Sequence, residues 1–251
     1  MSGHSKWATT KHKKGALDKA RGKLFAKIIR QVEVAAREGG GDLEGNPTLR
    51  TMYQKARDSS VPMETIERAI KRGTGELEGV RYEPVVYEGY APCGVAVIVE
   101  CLTDNRNRTG ADIRAIFSKN GGSMAEPGAV SWQFERKGVV TVPHDGKFSE
   151  DDLMLVVAEA GADDVRDDGD SWEVVTPPRE LAAVRGAVEA KGWPTSSSEL
   201  TMYPSQSVSI ESQNDARKVL RLMDLLDDQD DVQNVYANFD IPDSVMELVE
   251  V

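Results

Sequence analysis

Cysteine, histidine and long apolar runs are what this sequence has least of. Its 251 residues hold two cysteines, Cys93 and Cys101, too few for a disulfide framework. Both fall in a segment that reads as one strand. Eight residues of strand would hold them about 26 Å apart at ~3.3 Å per residue, too far to bond to each other. Reduced thiols in a cytosolic protein are the expectation. The only histidines are His4, His12 and His144, and no Cys or acid cluster near them has the spacing of metal ligands. No stretch approaches the ~18–20 apolar residues of a membrane span, and no charged-apolar-small signal segment opens the chain. A cytoplasmic protein without metal, cofactor, membrane partner or small-molecule substrate is expected.

Catalytic groups do not gather either. No nucleophile stands in a recognisable pairing with a base, so an enzyme is not expected. Gly73-Thr74-Gly75 and Gly121-Gly122 are not phosphate loops, because no GxxxxGK[ST] is present. The acidic runs Asp163-Asp164 and Asp227-Asp228 with Asp230-Asp231 read as solvated turns, not acid/base pairs. Hydrophobic residues make up 39% of the chain, and with 22 glycines the share is about half, enough to bury a core. The length fits two or three domains.

What the sequence does have is charge, unevenly placed. The first 37 residues carry ten Lys or Arg against two acids, Asp18 and Glu33, a balance of +8. The whole chain has a formal net charge of −11, so the other 214 residues carry −19. Positive charge at one end of an otherwise acidic chain points to a directed contact with a polyanion. The acidity elsewhere would keep the rest of the molecule off bulk nucleic acid.

Residues 1–15 form a polar, basic arm with His4, Lys6, Trp7, Lys11, His12, Lys13 and Lys14. Alone such an arm would order only on a partner. Trp7 reads first as an anchor packing on the helices behind it and second as a ring stacking on a base. From Ala16 to Arg37 the period is helical. At 100° per residue, Leu17, Leu24, Phe25, Ile28, Ile29, Val32, Ala35 and Ala36 fall in an arc of roughly 140–280°. Lys19, Lys23, Lys27, Arg30 and Arg37 fall in roughly 0–80°. That face shows no Glu placed for i,i+4 pairing, which favours phosphate over solvent as its neighbour. Arg21 lies on the apolar side and should be structural.

Gly39-Gly40-Gly41 ends this helix, Asn46-Pro47 opens a second and Pro62 a third, with Gly73 as its stop. GTGELEG (73–79) is the exit linker. Beyond it, Gly94 to Leu102 reads as a central strand, a helix runs to about Asn120, and Ala129 to Phe134 reads as a strand. From 137 to 205 the order is β-α-β-β-α-β, the ferredoxin-like sequence of elements. A last β-α-β, ending at Phe239, lacks a neighbour and would complete the lone β-α-β of 85–134. The acidic tail (240–251) is expected to pack weakly. The fold class is therefore α+β in three domains: a basic helical domain (1–79), a discontinuous mixed α/β domain (80–136 plus 206–251), and a ferredoxin-like domain inserted in it (137–205).

TDNRNRT (103–109) sits between a strand and a helix, where free N–H groups and the helix dipole favour anions. Arg106 and Arg108 add planar donors suited to phosphate. The plainer alternative is that Asp104 or Asn105 caps the helix while the arginines are solvated, and both can hold.

Five blocks, GHSKWATTKHKKGALDKARGKLFAKIIRQV, GGGDLEGNPTLR, VPMETIERAIKRGTG, CLTDNRNRTGADIRAIFSKNGG and GAVSWQFERKGVV, resemble in order those of the YebC/PmpR family. That family includes mitochondrial translational activators of cytochrome c oxidase subunit one. The resemblance spans essentially the whole chain. It implies a helical N-terminal domain and two ferredoxin-like α/β domains. Members are usually labelled probable transcriptional regulators binding DNA, and other work on the family points to rRNA and to translation through proline-rich stretches. Carried over, the matching positions run from His4 through Arg30 and include the arginines of TDNRNRT. Thr48 and Met63 stand where cations are frequent in the family, which weakens a role for helices two and three in binding.

The expected function is a nucleic-acid-binding regulator of gene expression, acting on DNA or on rRNA and the ribosome. The contact residues would be His4, Lys6, Trp7, Lys11, His12, Lys13, Lys14, Lys19, Lys23, Lys27, Arg30, Arg106 and Arg108. No helix-turn-helix or zinc-finger signature offers base readout. An arm carrying glycine and tryptophan suits irregular RNA surfaces. A protein-protein adaptor, docking basic partners on its acidic domains, is the alternative of another class.

Overall fold

A computed structural model describes residues 17–144, 146–169 and 171–249; the side chains of residues 17–21 and of residue 243 lie outside that description. Three helices come first: α1 (Leu17–Gly39), α2 (Pro47–Asp58) and α3 (Met63–Thr74). Their core holds Ile28, Val32, Ala35, Ala36, Leu49, Ala56, Ile66 and Ala69, the apolar stripe that the helical period marks. Leu24 departs from it, at 41% exposed. Asn46 joins two helices at once. Its side-chain oxygen accepts from Leu49 N (3.0 Å) at the start of α2, and Nδ2 donates to Ala35 O and Gly40 O (2.8 Å each) at the end of α1.

The stop of α3 lies further on than the glycine pattern indicates. Gly73 is inside the helix and buried, and the left-handed residue is Gly75 (φ +84°). A Cβ at Gly73 would sit 2.7 Å from Ala36 Cβ and closer still to Glu33 O. Gly73 is thus the point where α3 crosses α1, a packing glycine in place of a terminating one.

Two antiparallel four-stranded sheets follow. The first contains β1 (Glu83–Tyr90), β2 (Ala96–Thr103), β3 (Ser123–Ala125) and β9 (Val232–Ala237), in the spatial order β3-β1-β2-β9. Strands β1 and β2 form a hairpin, so the segment reads β-β-α-β, not β-α-β. Cys93 lies in the hairpin's turn at φ 65°, exposed, while Cys101 is buried in β2, so they do not share a strand. On one face of the sheet lie α4 (Arg106–Lys119) and α7 (Gln213–Asp227), contributing Ile113, Phe117, Val219, Leu222, Met223 and Leu226 against Val97, Val99, Cys101 and Val235. The terminal helix α8 (Asp243–Val249) packs Met246 into the same core, more firmly than its acidity suggests.

The strand expected at 129–134 is absent. Glu88 explains it: its buried carboxylate accepts the backbone N–H groups of Gly128 (2.7 Å), Val130 (2.7 Å) and Ser131 (2.9 Å). Those donors are taken from any ladder and the chain turns through a short 3-10 segment (Ser131–Gln133). Burial pushes the Glu88 carboxyl up, but these hydrogen bonds outweigh it and hold it below the ordinary range.

The second sheet contains β4 (Phe134–Pro143), β5 (Asp164–Asp167), β6 (Ser171–Thr176) and β7 (Ser197–Pro204), in the order β5-β6-β4-β7. Helices α5 (Glu150–Glu159) and α6 (Leu181–Ala190) supply Leu153, Val157, Val184 and Val188 to its core. Every neighbouring pair is antiparallel, as the ferredoxin-like sequence of elements requires. A smaller cluster of Ala96, Ile98, Val130, Phe134 and Tyr236, with Met202 against it, joins the two sheets. Strands β8 (Val208–Ser209) and β10 (Phe239–Asp240) pair in parallel beside the first sheet. The whole is a multi-domain α+β molecule.

Candidate nucleic-acid interface

Lys23, Lys27 and Arg30 share one face of α1, as the helical period predicts. That face is not open to solvent. It meets the C-terminal end of α7 and the turn leading into β9. Lys23 Nζ donates to Asp228 O (2.9 Å) and pairs with Asp228 Oδ1 (2.7 Å). Lys27 Nζ donates to Asp227 O (2.8 Å) and to Asp227 Oδ1 (3.1 Å). Arg30 Nη1 donates to Asp230 O and to Asp231 Oδ1 (3.2 Å), and its guanidinium lies 5.1 Å from the Tyr82 ring centre. Three cations at i, i+4 and i+7 thus meet carbonyls at the negative end of a helix dipole, reinforced by carboxylates.

Arg37 leaves this row. It pairs with Glu33 Oε1 (3.4 Å), whose other oxygen accepts from Arg72 Nε (2.9 Å), and it donates to Val80 O (3.1 Å). Glu33 is 2% exposed. It lies outside the cationic arc, yet it gives Arg37 the i,i+4 partner that this face was expected to lack, and it ties α1 to α3.

TDNRNRT folds into the same region. Asn105 is the N-cap of α4, accepting from Arg108 N (3.1 Å). Arg108 Nη2 donates to Asp104 Oδ1 (2.7 Å) and Asp231 Oδ2 (3.0 Å), bonds that hold its guanidinium charged to higher pH than usual. Arg106 is exposed at the first turn of α4. The capping half of the alternative is seen in Asn105, but of the two arginines expected to be solvated only Arg106 is exposed without an ion pair among the described residues, and Arg108 is held by Asp104 and Asp231.

Asp231 is the centre on which these features converge. Besides Arg30 and Arg108, Asp231 Oδ2 accepts from Thr109 Oγ1 (2.7 Å) and Thr103 Oγ1 (3.4 Å), while its carbonyl accepts from Leu102 N (2.9 Å) where the β2–β9 register shifts. Burial pushes its carboxyl up, but the Thr109 hydroxyl and the two guanidinium groups outweigh that and hold it below the usual range. Cys101 lies nearby. Burial first and the Asp231 charge second push its thiol up to about 12, which keeps it protonated at neutral pH.

His4, Lys6, Trp7, Lys11, His12, Lys13 and Lys14 lie outside the described residues, as do the side chains of Lys19 and Arg21. Of the remaining expected contacts, Lys23, Lys27, Arg30 and Arg108 come together around the 227–231 turn, and Arg106 stands apart from them. The acids of that turn read from sequence as solvated. Their side-chain partners lie between 122 and 205 residues away, and the strand order, which sets the end of α7 beside α1, brings them together. Among the described residues, no group of three or more His, Cys, Asp or Glu is placed to hold a metal ion, and no helix is long and apolar enough to cross a membrane.

Comparison with known proteins adds a family. Residues 5–76 match a family model described as the TACO1/YebC protein N-terminal domain, and residues 82–239 match one described as the TACO1/YebC second and third domain. A protein of Thermobifida fusca named "Probable transcriptional regulatory protein" is 56% identical over 98% of each chain. One of the same name from Mycobacterium tuberculosis is 55% identical over 100% of this chain and 99% of its own. The crystal structure of a conserved hypothetical protein from Aquifex aeolicus superposes with a TM-score of 0.80 at 46% identity, covering 90% of this chain and 93% of that one.

Proposed function

This chain belongs to the TACO1/YebC family, and from that premise we propose that it is a non-enzymatic, nucleic-acid-binding regulator of gene expression that grips DNA through its N-terminal cations. One observation carries the reading: a balance of +8 within the first 37 residues of a chain whose remainder carries −19. Such a molecule is drawn to a phosphate backbone by one end and repelled along the rest of its surface. The regulatory part of the reading is supported by the names of its relatives.

The grip is electrostatic. Lys6, Lys11, Lys13 and Lys14 neutralise phosphates, and each neutralised phosphate releases condensed counterions, so affinity falls steeply with salt. Arg106 adds a guanidinium at the N-terminus of α4, where the helix dipole also favours an anion. Contacts of this kind position the protein on a duplex without reading bases.

A second target, structured rRNA on the ribosome, is favoured by Trp7 standing among lysines and glycines, since a ring beside cations suits unstacked bases. In that reading the protein assists translation through proline-rich stretches.

The test changes Lys11, Lys13 and Lys14 together to Glu. Binding to duplex DNA and to ribosomes should both be lost while the circular dichroism spectrum stays that of the wild type. Unchanged affinity for both would refute the reading. Sedimentation of a cell extract through sucrose at low and high salt then separates the two targets, because the protein travels either with ribosomes or with DNA.

A further inference from the structure

The cations of α1 already have an anionic occupant. Carbonyls of Asp227, Asp228 and Asp230 accept from Lys27, Lys23 and Arg30 in turn, and the carboxylates of Asp227, Asp228 and Asp231 lie against the same three groups. A row of partly charged oxygens on closely spaced residues is chemically what a phosphodiester backbone presents to such a helix face. We propose that the acidic turn at 227–231 is a built-in competitor: it occupies the polyanion-contacting face of α1, and nucleic acid must displace it to engage Lys23 and Lys27. This rests on the reading that the N-terminal segment binds polyanions, and it concerns how that binding is held back.

The contact is graded along the helix. At the outer end, the Asp228 side chain is 71% exposed and Lys23 is 30% exposed. In the middle, Lys27 and Asp227 are 14% and 17% exposed. At the inner end, the Asp231 side chain is 5% exposed and is held by Arg108 and Thr109 as well as by Arg30. The outer pair can exchange its partner for phosphate without disturbing the inner anchor. A cleft of about 230 Å³ lies between α1 and the turn, with Lys23, Lys27, Arg30, Gln229 and Asp230 among its lining, and it gives a backbone oxygen a route to the two lysines at its outer end. The exchange swaps one set of oxygens for another, so each cation keeps a partner throughout. A sparse anion gains nothing from the exchange. A dense polyanion, already anchored by the arm, does.

The full chain is compared with three variants by fluorescence anisotropy, using a labelled DNA duplex and a labelled RNA hairpin at about 0.1 M salt. D227N/D228N keeps side-chain shape and removes both carboxylate charges from the lysines. It should bind about three- to tenfold tighter, the range expected from two partly exposed ion pairs. D228N alone should move in the same direction, and at so exposed a position it keeps the test valid if the double variant does not fold. E150Q/D151N/E159Q removes three exposed acids from α5 and should stay within about twofold of wild type, separating a local competitor from a general change in net charge. Equal or weaker binding by folded D227N/D228N, with wild type binding, overturns the competitor alone. Binding of neither probe by wild type or any variant overturns the polyanion reading and the competitor with it. Binding by the loop variants but not by wild type or the α5 variant supports both.

Discussion

Asp231 sits where two stretches distant from it in sequence meet: α1 through Arg30, and the consecutive β2 and α4 through Leu102, Thr103, Arg108 and Thr109. A carboxylate so buried is tolerated because each oxygen has a donor, and two of the donors are cations. Replacing it by Asn leaves the shape but gives Arg30 and Arg108 a neutral partner. Asp231→Asn should destabilise the protein by about 1.5–3 kcal/mol at pH 7, the usual value of hydrogen bonds to a charged group, read from urea unfolding. The folded protein holds this carboxyl below its unfolded value near 3.9. Its contribution is therefore complete above that pH and is lost as pH falls through the folded value. The gap between wild type and variant should narrow below about pH 4; a gap that stays constant from pH 7 downward would show that charge is not what Asp231 supplies.

At the scale of elements, the crossing of α3 over α1 depends on Gly73. Gly73→Ala places a methyl against Ala36 Cβ and the Glu33 carbonyl, and such overpacking should cost about 1–3 kcal/mol. Gly22, on the exposed side of α1, has no atom of the described residues beyond its own helix backbone within 4 Å of where a methyl would stand, so Gly22→Ala should stabilise by up to about 1 kcal/mol. Thermal unfolding of the two variants should shift in opposite directions, and a neutral Gly73→Ala would mean that the two helices cross with room to spare. The helices were legible because a 3.6-residue apolar period extends over three or more turns of each. Their ends were less so, because a glycine marks a stop and a close crossing equally well in sequence. Strand β1 was hidden for a different reason. Its buried and exposed positions do not alternate cleanly, since Glu88 faces inward to hold the 128–131 turn. The same carboxylate removed the strand expected at 129–134. A buried acid that organises backbone N–H groups leaves no periodic trace in a sequence.

The whole molecule separates its charge and then rejoins part of it. The cationic face of α1 was legible, and so was the acidic turn, but each was read alone. Their contact depends on β9 joining the sheet of β1 and β2, which carries the end of α7 to the helical domain. The consequence for function is that the cations divide into two groups. Lys23, Lys27 and Arg30 are held within the chain, and in the proposed function the first contacts with phosphate fall to Lys6, Lys11, Lys13, Lys14 and Arg106.

The most direct test of that account is the salt dependence of binding by the full chain. The logarithm of the association constant for a DNA duplex should fall linearly with the logarithm of salt concentration, by about 0.9 for each phosphate neutralised. Changing Lys11, Lys13 and Lys14 to Ala should make that slope shallower by about 2–3 and weaken binding at low salt. An affinity indifferent to salt, or the same slope with and without those three lysines, would contradict the account.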